Sequence, residues 1–295
     1  MKRVKIVTHA GRAHRDEYMA CCLAAFICYQ NGQQGFIERR MVTDGDLDDP
    51  RTWVIDTGET HDPSKLNFDH HQNCEKVESM CALDLLILHA FGSEVHKAFR
   101  VCNPWLALTA VHDNHGAYNA AQWLNIDMRS YNALKSPVER VALTRFSEVA
   151  VIYPHSPIYN AMIEDGRLIW NDIAEVRNFQ NVKLTDLPAT SEHRGLRVWD
   201  VRKVDLSESP MKMTMLNHEA MKRKVDITIG INGRDGQYNL HRQQRADGKV
   251  DFSVLEGQTG VLFAHKNGYY AVVSTALSDT EILNLLTQAI PSSSK

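Results

Sequence analysis

Apolar residues fall in short unbroken runs near the N-terminus and again past residue 50, while the stretches between them repeat their apolar positions every three to four residues. The pattern predicts strands alternating with helices. Residues 4–8 form a compact apolar strand, and residues 17–30 carry Met19, Leu23, Phe26 and Ile27 at helical spacing before the stop signal Asn31-Gly32. Residues 52–55 make a second short strand, followed by the turn Thr57-Gly58-Glu59. An apolar helical run covers 80–91, and Pro104 suits the first turn of another helix. From there to residue 176 the pattern is helical, over 118–126, 136–149 and 167–176, with Ser136 and Pro137 as an N-cap and N1 pair. Ser130, Pro154, Pro157 and Asp165-Gly166 are the expected breaks.

Past the linker-like Leu187-Pro188-Ala189-Thr190-Ser191 the period changes again. Strands are expected over 196–201, 225–231, 237–243 and 270–273, with helices over 217–224 and 279–289. Asn232-Gly233, Asp235-Gly236, Asp247-Gly248 and Asn267-Gly268 supply hairpin turns. The expected fold class is α/β. Residues 1–186 would form a domain with a mainly parallel sheet flanked by helices, ending in a helical connector, and 187–295 a smaller α/β domain. There is no internal repeat, and the tail Ser292-Ser293-Ser294-Lys295 is expected to be disordered.

Composition narrows the class. The chain has 295 residues, 43% of them hydrophobic, enough for a substantial core. No window of ~18 uninterrupted apolar residues suggests a membrane span. The charged start, Met1-Lys2-Arg3, reaches His9 and Arg12 before a signal-type apolar core forms, so a cytoplasmic protein is expected. All six cysteines precede residue 103, and Cys21, Cys22 and Cys28 lie within the first predicted helix, as reduced core thiols do. With 33 basic and 36 acidic residues the net charge is −3, so no global field draws the chain to long nucleic acid. A short or locally held substrate fits better. Arg12 and Arg15 flank the first histidines, and further basic residues (Arg197, Arg202, Lys203, Arg242, Arg245) lie in the last third. The run 221–224 fits a solvated helix face.

The chemistry concentrates at the ends of the early strands. His9, His14 and Asp16 stand between the first strand and the first helix, Asp56 ends the second strand, and Asp69-His70-His71 and Asp113 follow downstream. In open α/β sheets ligands bind beyond the carboxyl ends of the strands. Imidazoles and carboxylates gathered there suit a two-metal phosphoesterase centre, with Asp56 placed to bridge two cations. Taken singly each cluster has a plainer explanation: Asp16 as a helix N-cap, the histidines as exposed loop residues, Asp113 as an exposed helical aspartate.

The order of these motifs resembles a known family. Thr8-His9-Ala10-Gly11-Arg12-Ala13-His14-Arg15-Asp16-Glu17, then Asp56, then Asp69-His70-His71-Gln72, then Asp113-Asn114, is similar to the melanocyte-proliferating-gene (Myg-like) exonuclease branch of the DHH phosphoesterase superfamily. The resemblance covers residues 8 to about 116, is weak over 195–275, and departs from the branch at Arg12, Ala13 and His115. It implies that His9, His14 and Asp56 hold one cation and Asp16, Asp56, His70 and Asp113 the other. A water shared by two cations about 4 Å apart would become hydroxide near neutral pH. His71 would face the scissile phosphate, with Asp56 and His71 as the catalytic pair. Arg12, Arg15, His71 and His265 would contact substrate. His265 lies in Phe263-Ala264-His265-Lys266-Asn267-Gly268-Tyr269, which resembles an element of the branch's smaller C-terminal domain that holds the far end of the substrate. Tyr269 and Tyr270 could stack on a base, one of them pointing instead into the core by strand alternation. Nitrogen and oxygen donors without thiolate favour Mn²⁺, with Mg²⁺, Co²⁺, Zn²⁺ or Fe²⁺ tolerated.

These expectations make the chain a metal-dependent phosphodiesterase, a 3′-to-5′ exonuclease on short single-stranded RNA or DNA, with homodimerisation open. The alternatives are a small-molecule phosphoesterase acting on a nucleotide or pyrophosphate, and a catalytically idle relative that binds nucleotides or a protein. The full set of donor positions weighs against the idle relative.

Overall fold

The computed structural model describes residues 2–73, 80–134, 136–181, 187–204, 210–232 and 235–291. The expected tail at 292–295 and Gly233 lie outside these. The chain divides into two compact units, Met1–Ala174 and Glu175–Lys295, and both are mixed α/β.

The first unit is laid down as β1 (Lys2–Thr8), α1 (Arg15–Gln30), β2 (Gln33–Arg39), α2 (Asp44–Asp48), β3 (Thr52–Ile55), β4 (His61–Asp62), β5 (Asn67–Phe68), α3 (Ala82–Phe91), α4 (Ser93–Cys102), α5 (Pro104–Trp123), α6 (Met128–Ala133), α7 (Pro137–Ser147), β6 (Val151–Ile152) and most of α8 (Pro157–Asn181), whose last residues belong to the second unit. Its sheet runs β4-β5-β3-β1-β2-β6, with the four inner strands parallel and the two edge strands antiparallel. Such a sheet needs cover, and α1 supplies much of it, packing on β1, β2 and β3 as well as on α3, α5 and α7. Nearly every residue of α1 from Ala20 to Phe26 is fully buried, as expected of a helix that is apolar all round. Cutting such a side chain back, Leu23→Ala for example, costs about 2–5 kcal/mol.

Three expectations in this unit need correction, one of them Ser130, which lies inside α6 and not at a break. Strand β2 was not expected, because Gln33, Gln34 and Glu38 dilute its apolar pattern; it forms because β1 offers a parallel partner along its whole length. Asp165-Gly166 does not break the chain, and α8 runs straight through it. A Cβ at position 166 would collide with the carbonyl oxygen of Cys22 and lie 2.8 Å from the Cβ of Phe26, so the glycine serves close packing of α8 on α1. The helix expected over 118–126 is the second half of α5, which is kinked at Gly116 (φ 80°, ψ 170°).

The second unit contains β7 (Ser191–His193), β8 (Leu196–Asp200), α9 (Pro210–Lys222), β9 (Ile227–Ile231), β10 (Tyr238–Arg242), β11 (Val261–Ala264), β12 (Tyr270–Val273) and α10 (Asp279–Ala289). Its sheet, ordered β11-β12-β10-β9-β8-β7, is antiparallel except for β8 with β9. Ile227, Ile229, Leu240, Ala271 and Val273 on one face meet Ile282, Leu285 and Leu286 of α10. The stretch read as a linker is partly structural: Leu187 is buried with Trp199 and Leu216, and Ser191 opens β7. Gly268 (φ 68°) turns β11 into β12 where a Cβ would collide with the Asp251 carboxylate. The turn at Asp247-Gly248 is not a hairpin, since β10 pairs with β9 and β12.

Candidate metal centre

Strand register builds the centre. Thr8 pairs with Ile55, and Ile55 with Phe68, so three neighbouring parallel strands end in one row. The next residues are His9, Asp56 and Asp69, which therefore stand side by side at the carboxyl edge of the sheet. Asp56 leaves its strand with φ 55°, in the left-handed region that aspartate tolerates better than most residues, and its N–H donates to Phe68 O at 3.0 Å.

Other elements complete the group. Asp16 lies in the first turn of α1, preceded by His14 as N-cap, so it is not itself the cap. Asp113 and Asn114 come from α5, and His70 follows β5. His70 Nε2 lies 3.0 Å from Asp56 Oδ1, 2.8 Å from Asp113 Oδ2 and 3.9 Å from Asp16 Oδ2. His9 Nε2 lies 3.6 Å from Asp56 Oδ2 and 2.5 Å from Glu17 Oε2, and His14 Nδ1 lies 3.3 Å from Asp113 Oδ1.

Three sets of four side chains bring one donor atom each within 4.8 Å of the others: His9, His14, Glu17 and Asp56; Asp16, Asp56, His70 and Asp113; and Asp56, Asp69, His70 and His71. Asp56 belongs to all three. Neither His112 nor His115 joins them. His112 instead meets the Tyr131 hydroxyl at 2.6 Å.

These residues suit divalent cations. Both carboxylate oxygens of Asp16 are fully buried and have no hydrogen-bond partner among the described residues, and the same holds for Asp56 Oδ2. Burial, and then the charges of Asp56 and Asp113, push the Asp16 carboxyl well above the usual carboxylate range. A carboxylate sealed from water and facing two others is relieved by a positive ion between them. The carboxylates of Asp56 and Glu17 beside its ring raise the pKa of His9 to about 11. Burial disfavours the charged ring of His70, yet Asp113 and Asp56 outweigh it and raise that pKa to about 11 as well. In the metal-free chain, protons on these rings thus supply the positive charge that the carboxylates require.

Several residues have supporting roles that the sequence reading did not assign. Asn114 Oδ1 lies 3.2 Å from His70 Nδ1, and its Nδ2 donates to Met80 O and Ala110 O, which fixes the orientation of the amide. With Nδ1 donating to Asn114, Nε2 is left for the centre. Asp69 accepts from the Glu59 N–H at 2.6 Å and from the His71 N–H at 3.1 Å, and its Oδ1 lies 2.6 Å from His71 Nδ1. That contact raises the His71 pKa and directs the half-exposed ring. Arg39, at the end of β2, is buried and donates to Glu17 Oε1, Gly11 O and Phe146 O. Glu17, Asp69 and Asn114 stand within the motifs that the sequence singled out, whereas Arg39 had no such signal.

The expected substrate contacts are placed differently from one another. Arg12 is exposed and makes no ion pair among the described residues. Arg15 is held by Glu139 through two bonds of 2.8 and 2.7 Å. His265, in the second unit, lies 4.4 Å from the Tyr269 ring, and both line a cavity of about 630 Å³ with Phe263, Tyr270 and His241. Neither tyrosine enters the core: Tyr269 precedes β12, so strand alternation starts only at Tyr270, and Ala271 and Val273 take the core face.

No helix among the described residues is long and apolar enough to cross a membrane. No curated protein matches the chain. Among solved structures, a pGpG-specific phosphodiesterase, PggH, from Vibrio cholerae is 12% identical, with 98% of this chain and 99% of that one covered and a TM-score of 0.28. Residues 5–114, the stretch that supplies every donor residue of the centre, match the model of the MYG1_exonuc family, described as an uncharacterised protein family (UPF0160).

Proposed function

We propose that the chain is a metal-dependent phosphodiesterase, acting as a 3′-to-5′ exonuclease on short single-stranded RNA or DNA. The observation that carries this is the position of Asp56 in every donor set of the centre. His9, His14 and Asp56 would hold one divalent cation, with Glu17 as a further donor, and Asp16, Asp56, His70 and Asp113 the second. Donors restricted to nitrogen and oxygen favour Mn²⁺, with Mg²⁺, Co²⁺ or Zn²⁺ as possible occupants. Two such ions, when bound, would stabilise charge on both the attacking and the leaving oxygen of an in-line displacement at phosphorus.

The chain's own residues do the positioning. Asn114 aims His70 inward, and Arg39 with Glu17 fixes the entry to α1 that carries His14 and Asp16. His71, whose ring Asp69 orients and whose pKa it raises, is the group to meet a non-bridging oxygen of the scissile phosphate. Arg12 is an uncommitted cation for a neighbouring phosphate, whereas Arg15 reaches substrate only by releasing Glu139. His265 and Tyr269 are proposed to contact the far end of the oligonucleotide by stacking. The direction of cleavage, membership of the DHH superfamily and a cytoplasmic setting rest on the motif resemblance and composition.

Purified chain incubated with Mn²⁺ and a dinucleotide, a labelled 24-mer or pyrophosphate tests the proposal. Release of mononucleotides from the oligomers is expected. Hydrolysis of pyrophosphate alone would replace it with the small-molecule phosphatase alternative.

A further inference from the structure

A cavity of about 540 Å³ lies in the first unit beside His14, Asp16 and Asp113. Its remaining walls come from α5, α6 and α7 and are unlike the centre. Leu108, Leu134 and Leu143 make them apolar, and Tyr131 and His112 add aromatic rings stacked at 5.8 Å and 21°. The two rings are joined by the 2.6 Å bond between the hydroxyl and Nδ1. Arg12 and Arg140 also line the cavity, both exposed and without a carboxylate partner among the described residues, while Arg15 is neutralised by Glu139.

This combination specifies a ligand. A bare phosphate or pyrophosphate has no use for the leucine and tyrosine surface, and a duplex does not enter a space of this size. A flat, weakly polar body carrying an anion does fit, since pockets of roughly 300–1,000 Å³ with apolar walls and a few placed charges hold small molecules. Resting on the phosphodiesterase proposal above, we propose that this cavity receives the nucleobase next to the scissile phosphate. Arg12 and Arg140 meet that nucleotide's neighbouring phosphate. The enzyme would then select nucleotide substrates over base-free phosphoesters in the first unit itself, separately from the aromatic cavity around His265.

The test compares adenosine 5′-monophosphate with ribose 5-phosphate by calorimetry on the full chain, in chelator so that hydrolysis plays no part. Aromatic contact with one base gives an expected preference of about ten-fold or more for the nucleotide. Thr144, exposed on α7 and lining the cavity, can be enlarged to block it. Thr144→Trp should abolish the preference while leaving ribose 5-phosphate binding unchanged. Should that variant fail to fold, Leu134→Trp, at a position 62% exposed, is the second plug. Equal affinities for the two ligands in the unaltered chain, or a preference that survives both plugs, would overturn the pocket. Absence of oligonucleotide hydrolysis alongside an intact, plug-sensitive preference would fail the enzymatic proposal and leave the base pocket standing.

Discussion

Asn114 holds the ring of His70 in place: its Oδ1 lies 3.2 Å from Nδ1, and its amide nitrogen is committed to Met80 O and Ala110 O. Removing it frees the ring to rotate without touching any proposed donor. Partners of this kind typically contribute 10–100-fold in metal affinity. Asn114→Ala should therefore weaken Mn²⁺ binding by about that factor, measured by titration, with the circular dichroism spectrum retained. Unchanged affinity would show that Asn114 does not orient His70.

Arg39 and Glu17 form a buried pair at 3.0 Å, with Arg39 also tying Gly11 O and Phe146 O to the same point. Removing one partner of a buried pair costs about 3–5 kcal/mol where the other charge is left unmatched. Glu17 keeps His9 at 2.5 Å as a second cationic partner, so Arg39→Met is expected to lose about 2–3 kcal/mol in urea unfolding. A loss below about 1 kcal/mol would place the pair among those that contribute little.

Protons and cations compete for the same centre. His9 and His70 in the metal-free chain have pKa values raised from 6.5 to about 11 by the surrounding carboxylates. Their contribution to metal-free stability is fully present below 6.5 and is lost as pH rises through about 11. At neutral pH both rings therefore carry protons that an incoming cation must displace. Apparent Mn²⁺ affinity should rise about ten-fold per pH unit for each proton released, from about pH 6 to 8, and calorimetry in buffers of different protonation enthalpy should show proton release. Affinity that is flat across this range would contradict the arrangement.

Much of the framework was legible because local signals and tertiary structure agree. The strand at 52–55, the strand at 270–273 and the helix at 279–289 coincide with β3, β12 and α10, each bounded by turn or capping residues. The nearness of His9, Asp56 and Asp69 follows from register, which a strand-end motif anticipates. Arg39 was illegible because its partners, Gly11, Glu17 and Phe146, lie at separations of 22 to 107 residues. Gly166 misled for a related reason: locally it signals a break, and only the packing of α8 on α1 makes it a helix residue.

Metal stoichiometry in Asp56→Ala, determined by elemental analysis beside the unaltered chain, tests the shared-carboxylate centre most directly. The prediction is that the unaltered chain, loaded with Mn²⁺ and freed of excess, retains two ions and the folded variant retains neither. A variant that keeps the metal content of the unaltered chain would contradict it.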